Sequence, residues 1–208
     1  MPPVLVTRDG AVAVLTINRP DVSNALDQRT LTDLAQALGV ADADSTVRAI
    51  ILTGAGDRAF CAGMDLKAFA REGVPDRDSR PANILREGGL RTPTVAAING
   101  AAIGGGFELA LACDLRIAAE SAYFALPETG RGLIASDGGT DLPRYLPLAV
   151  SLEIGLAGAF LTATRAQALG LVNAVVPCDD VLQTALTVAR AIAERSPAAV
   201  AETKRLMY

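Results

Sequence analysis

The sequence predicts an α/β fold, and three observations carry that prediction. The chain opens on a hairpin signal, nearly apolar strand-like runs then alternate with helical patterns, and two of those runs end in glycine-rich turns that lead into a helix. Residues 4–7 and 11–17 are rich in β-formers and flank Arg8-Asp9-Gly10; an Asp-Gly pair between apolar runs predicts a hairpin. Residues 30–38 place Leu31, Leu34, Ala35 and Leu38 at helical spacing, and residues 47–53 are almost wholly apolar, as a buried parallel strand is. Helix followed by buried strand implies a crossover. The same order recurs in residues 94–98, a glycine turn, a helix over 107–112 and a strand over 115–119, without a repeat at fixed period.

Residues 70–92 break the pattern. They carry Arg71, Glu72, Pro75, Asp76, Arg77, Asp78, Arg80, Pro81, Arg86, Glu87 and Arg91 with Gly73, Gly88 and Gly89. Such a charged, punctuated stretch is expected to be a mobile excursion, either a lid over a site or a plain solvated loop. Residues 179–195 put Val181, Leu182, Ala185, Leu186, Ala189, Ile192 and Ala193 on one helical stripe. Ser196-Pro197 then reads as an N-cap with proline at the first helical position. Residues 1–195 are therefore expected to form the core domain. Residues 196–208 open a C-terminal helix that is docked on a partner or is the stump of a longer one.

Composition removes whole classes of chemistry. The chain has 208 residues, half of them apolar, a 20% charged fraction and a net charge of −4, which fits one domain with a real core and argues against disorder. It has no histidine, so a Ser-His-Asp triad, a Cys-His pair, an HExxH metal site and an imidazole base all fall away. No metal site is expected. Lys67 and Lys204 are the only lysines and neither stands in a phosphate-binding GK[ST] motif. The acidic balance and scattered arginines predict neither nucleic acid nor membrane as a partner. No apolar run approaches the ~18 residues of a membrane span, and the N-terminus lacks a secretory pattern. Cys61, Cys113 and Cys178 form no CxxC pair and are expected to be free core thiols in a reducing compartment, with a cytoplasmic address.

Chemistry is then sought at the glycine turns and at two carboxylates. Gly54-Ala55-Gly56 precedes Phe60-Cys61-Ala62-Gly63-Met64-Asp65-Leu66, and Asn99-Gly100 leads through Gly104-Gly105-Gly106 into Phe107-Glu108. Glycines at a helix start let N–H groups face an anion under the positive end of the helix dipole, although such a turn taken alone is more often tight helix–strand packing than a site. Glu108 lies in an otherwise apolar helix, where burial is costly unless the carboxylate is paired, hydrogen-bonded or used. Glu128 follows Pro127 between apolar residues. Without histidine, paired carboxylates are the main remaining acid/base device. The structural alternative is a dipole partner at Glu108 and a solvated loop at Glu128.

Several further blocks stand out: Asn18-Arg19-Pro20 with Asn24-Ala25-Leu26, residues 59–66, Pro93 to Gly100, residues 104–110, Cys113 to Ala118, Pro127-Glu128 and Gly138-Gly139. Together, from Val4 to Pro197, they resemble the enoyl-CoA hydratase/isomerase (crotonase) family. The resemblance implies a ClpP-like spiral of ββα units with a shortened C-terminal helical part. It also implies an acyl-CoA substrate whose thioester carbonyl sits between the N–H groups of Met64 and Gly105. Ser23, Ala25, Ala62, Met64, Asp65, Leu66, Lys67, Gly105 and Ser136 resemble substrate-binding positions. Glu108 corresponds to the group that activates water for attack at C3, and Glu128 to the group that protonates C2. No cofactor is implied, CoA being part of the substrate, and the assembly implied is a homotrimer or a dimer of trimers. Where the hydratase pattern has Pro-Gly-x-Gly-Gly, this chain has Ala135-Ser136-Asp137-Gly138-Gly139; Ser136 replaces a glycine that in the family lies near the water site, and Asp137 brings a third carboxylate. That departure leaves isomerisation, dehydration, decarboxylation or non-catalytic acyl-CoA binding as alternatives to hydration.

Overall fold

The computed structural model describes residues 1–73, 80–86 and 89–208. The predicted hairpin is present: β1 (Val4–Asp9) and β2 (Val12–Ile17) pair antiparallel about Gly10. Helix α1 (Gln28–Ala43) buries Leu31, Leu34, Leu38 and Ala41, the spacing of one helical face. It begins earlier than apolar spacing suggested, because the Asp27 carboxylate accepts the N–H of Thr30 at 2.8 Å and so caps the first turn.

Beyond α1 the chain repeats one structural unit: a strand of a large sheet, a strand of a small sheet, then a helix. β3 (Ala49–Gly54), β4 (Ala59–Cys61) and α2 (Leu66–Glu72) form the first unit, followed by α3 (Pro81–Leu85). β5 (Thr94–Ile98), β6 (Ala101–Ile103) and α4 (Gly105–Ala112) form the second. β7 (Leu115–Ala119) and β8 (Tyr123–Ala125) start a third, closed by a short 3₁₀ turn at residues 128–131. Among the described residues the large sheet runs β1-β2-β3-β5-β7-β10 and the small one β4-β6-β8-β9, with β9 at Leu161–Thr162 and β10 at Ala174–Val176. This is the spiral of ββα units that the resemblance implies. The units begin at residues 49, 94 and 115, and that unequal spacing is why no fixed period shows in the sequence.

Helices α5 (Leu148–Ala157), α6 (Ala163–Ala168), α7 (Val181–Ala193) and α8 (Pro197–Met207) complete the body. Between the large sheet and the helices lies one apolar core in which Phe60, Phe107, Phe124, Ile50, Ile51, Leu52 and Ile98 are fully buried. No helix among the described residues is long and apolar enough to cross a membrane.

Several expectations need correction. The 70–92 stretch is not a solvated loop throughout: α3 buries Pro81, Ala82 and Leu85, and Leu90 joins the core. The part of that expectation resting on residues 74–79 and 87–88 lies outside the described residues. The apolar stripe of α7 is narrower than predicted, because a helix lying across β3, β5 and β7 seals only Val181, Ala185 and Ala189, while Leu182 is left 41% exposed. Ser196 does precede α8 with Pro197 in the first turn, but its hydroxyl makes no capping bond. Cys61 and Cys113 are buried free thiols, whereas Cys178, on the 3₁₀ turn before α7, is only half-buried. Lys204 and Tyr208 tie α8 to the start of β7 through Asp114, at 2.7 and 3.0 Å.

Candidate active site

The first unit places a backbone donor at Met64. Buried Asn24 accepts the N–H of Arg19 and donates to Ala55 O and Ala59 O at 3.0 and 2.7 Å, while Asn99 accepts from Gly54 N–H and donates to Gly56 O at 2.6 Å. These two amides lock the first glycine turn. The turn at 23–26 is then knit to 62–65, since Ala62 N–H donates to Ser23 O, Leu26 N–H to Gly63 O and Asp65 N–H to Leu26 O. Met64 N–H donates to no described group.

The second unit places a donor opposite it. Gly105 opens α4, so its N–H has no partner inside the helix, and none outside it among the described residues. A β-carbon on Gly105 would stand 3.9 Å from Met64 N and 3.9 Å from Glu108 Oε2, which brings both amides and the carboxylate to one spot. Glycine is required at 106, where any β-carbon would lie 2.1 Å from Cys61 O; α4 can seat this close to β4 only without a side chain there.

Glu108, on the first turn of α4, is 4% exposed. Its Oε1 accepts the N–H groups of Asp137 and Gly139 at 2.8 and 2.9 Å. Burial pushes its pKa up to about 7; the nearby charges of Asp137 and Glu128 push the same way, and the two amides pull against them. Glu128 starts the 3₁₀ turn after Pro127 and is half-buried, with Oε1 against Gly104 and Oε2 buried without a hydrogen bond from any described group. Burial raises its pKa as well, against its own amide and Arg131. Two carboxylates whose pKa values are raised by burial, in one cavity with two N–H groups that no described group engages, make an acid/base site beside an anion cradle.

These groups line one cavity of about 250 Å³. Apolar walls come from Leu66, Phe69, Ile103, Pro127, Leu133 and Ile134, and the polar lining includes Arg80, Arg131, Ser136 and Asp137.

A family profile described as enoyl-CoA hydratase/isomerase matches residues 7–208. The chain belongs to the enoyl-CoA hydratase/isomerase family. It is 41% identical over 204 residues to a carnitinyl-CoA dehydratase of Salmonella arizonae, covering 96% of this chain and 78% of that protein. It is 37% identical over 209 residues to a short-chain-enoyl-CoA hydratase of Clostridium acetobutylicum, covering 97% and 79%. Among solved structures it resembles EchA1_1 from Mycobacterium paratuberculosis, at 45% identity and a TM-score of 0.94, over all of this chain and 82% of that one.

Within this family member the cavity gathers Ala62, Met64, Leu66, Gly105, Glu108, Glu128 and Ser136 from the residues singled out by sequence. Ser23, Ala25, Asp65 and Lys67 do not line it. Asp65 is otherwise engaged: it caps α2 through Ala68 N–H at 3.1 Å and pairs with Arg19 at 3.1 Å, and both contacts hold its carboxyl below the usual range. Sequence reasoning noted Asp137 but missed that its main chain grips Glu108. It missed Arg80 as well, because an ion pair spanning 57 residues leaves no local signal.

Proposed function

We propose that the protein is an enoyl-CoA hydratase, adding water across the 2,3 double bond of a 2-enoyl-CoA. The observation that carries this reading is the convergence of two carboxylates and two unengaged backbone N–H groups on one cavity. The thioester oxygen sits between Met64 N–H and Gly105 N–H. Ionised Glu108 takes a proton from water as the water oxygen bonds to C3, and the π electrons move toward the carbonyl to give an enolate. Protonated Glu128 gives its proton to C2. The product is the 3-hydroxyacyl-CoA, both new bonds form on the face the carboxyls share, and one proton passing from Glu108 to Glu128 restores the starting state. Each N–H aimed at the enolate oxygen is worth on the order of 3–4 kcal/mol, by analogy with other oxyanion holes. These groups complete the reaction without a cofactor, CoA being part of the substrate.

Loss of the enoyl absorbance on mixing with crotonyl-CoA tests the reading directly. No loss of absorbance across enoyl-CoAs of graded chain length would overturn it. The reverse direction, dehydration of a 3-hydroxyacyl-CoA, uses the same groups and is supported by the dehydratase relative; enoyl absorbance appearing from 3-hydroxybutyryl-CoA reads it out. The same reading makes the protein a cytoplasmic enzyme of fatty acid metabolism, supported by its free thiols, and a homotrimer or dimer of trimers, supported by the exposed Leu148, Leu152, Leu156 and Phe160. Light scattering on the purified chain measures the assembly.

A further inference from the structure

Glu108 is held by a turn, and that turn is held by α3. The Asp137 carboxylate, whose neighbouring N–H donates to Glu108, accepts from Arg80 Nη1 at 2.5 Å, and the two side chains are only 15% and 14% exposed. Arg86, at the far end of α3, pairs with Asp141 on the same segment. Between the two arginines, Pro81, Ala82 and Leu85 are buried, so α3 is fastened at both ends and packed along its length. A solvated surface pair would contribute little. A sheltered pair does more, because removing one partner leaves the other charge poorly compensated.

We propose that Arg80 and Asp137 are positioning residues for Glu108: their ion pair fixes the turn whose amides grip the Glu108 carboxylate, and Arg80 sits against the Asp137 charge beside it. The proposal rests on Glu108 being the working base of the site. Among the described residues, the charged groups around Glu108 are these. Asp137 and Glu128 are the nearby anions, and Arg131 faces Glu128. Arg80 and Arg86 flank α3; Asp141 and Arg144 lie on the 3₁₀ turn at Gly139–Arg144 that packs on α4, with Asp141 taken up by Arg86. On β4 the buried Cys61 thiol is pushed up to about 12 and stays neutral. Among the described residues, Arg80 is the cation paired with Asp137 beside this carboxylate.

The test is a direct titration of Glu108, which needs no turnover. In protein labelled with carboxyl-¹³C glutamate, the resonance missing from Glu108→Gln identifies the group. Arg80→Met uncovers the Asp137 charge and moves the midpoint up; Asp137→Asn removes that charge and moves it down, each by about half a pH unit, as expected for a charge several ångströms away at partial exposure. Arg80→Lys keeps the charge and leaves the midpoint within about 0.2 units of the parent, which covers the case in which Arg80→Met does not fold. A merely structural pair lowers stability without moving the midpoint in opposite directions. Shifts of the same sign, or no shift in Asp137→Asn, overturn the proposal. If the titration moves as stated while no enoyl-CoA is hydrated, the hydratase reading falls and the positioning role stands. If hydration is intact and the titration is unmoved, only the positioning role falls.

Discussion

Two sheltered carboxylates, Glu108 buried and Asp114 partly so, stand at opposite ends of α4, and they are used differently. Asp114, just past the C-terminus of the helix, accepts from Thr94 N–H and Oγ, from the Lys204 ammonium and from the Tyr208 hydroxyl. Glu108, on the first turn, accepts from two backbone amides, and no Lys or Arg pairs with it among the described residues. A buried anion with a cation built against it spends its charge on structure. One without a cation keeps a proton within reach near neutrality and is free to exchange it. The contrast separates a fastening point for α8 from a site of chemistry.

The sharpest way to break the structural member of this pair is Lys204→Met. It leaves the partly buried Asp114 without its cation and should cost up to about 3 kcal/mol, the low end for a buried pair, because Thr94 and Tyr208 still donate to it, read as a fall in the urea midpoint. Protein that remains folded should turn over at the parental rate. Glu108→Gln should do the opposite, lowering kcat by at least ~10²-fold, the usual range for an acid/base group, with acyl-CoA affinity by calorimetry little changed. Equal loss of affinity and rate would place Glu108 in binding instead.

The pH dependence of stability sharpens the comparison further. Because the folded pKa of Glu108 is raised from 4.5 to about 7, the native state holds more protons than the unfolded chain between those values. Stability should therefore fall as pH rises through that window, by at most about 3 kcal/mol from this group. Glu108→Gln should flatten that fall, and denaturation midpoints at pH 5 and 8 measure it. The smallest effect is expected for Gly104→Ala. Gly104 sits at φ +52°, and a β-carbon there would lie 2.5 Å from Glu128 Oε1. The substitution should displace Glu128 while leaving Glu108 on its amides, reducing kcat about tenfold, which is about 1.4 kcal/mol at the barrier. A rate loss as deep as that of Glu108→Gln would show that the two carboxyls are not separately seated.

Local chemistry makes much of this protein legible in its sequence alone. Mostly apolar runs at residues 94–98 and 115–119 emerged as β5 and β7 with the same bounds, since a strand buried on both faces is largely apolar; the one charge among them, Arg116, is buried with its guanidinium donating to Leu171 O and Cys113 O. Glu108 stood out because a carboxylate inside Phe107-Glu108-Leu109-Ala110 has no cheap place to go. The glycine runs marked where backbones approach one another, and the absence of histidine narrowed the acid/base candidates to carboxyls.

Pairings across long stretches of chain were decided only by the tertiary structure. Nothing near Asp137 announces Arg80, nothing near Asp114 announces Lys204, and the burial of Ala82 and Leu85 inside a charged excursion is invisible until α3 meets α4. The same holds for proton affinity. The sequence names the carboxyls, but whether each sits against an ammonium, an amide or another anion is a matter of a few ångströms set by the fold, and over such distances the electrostatic energy is decided.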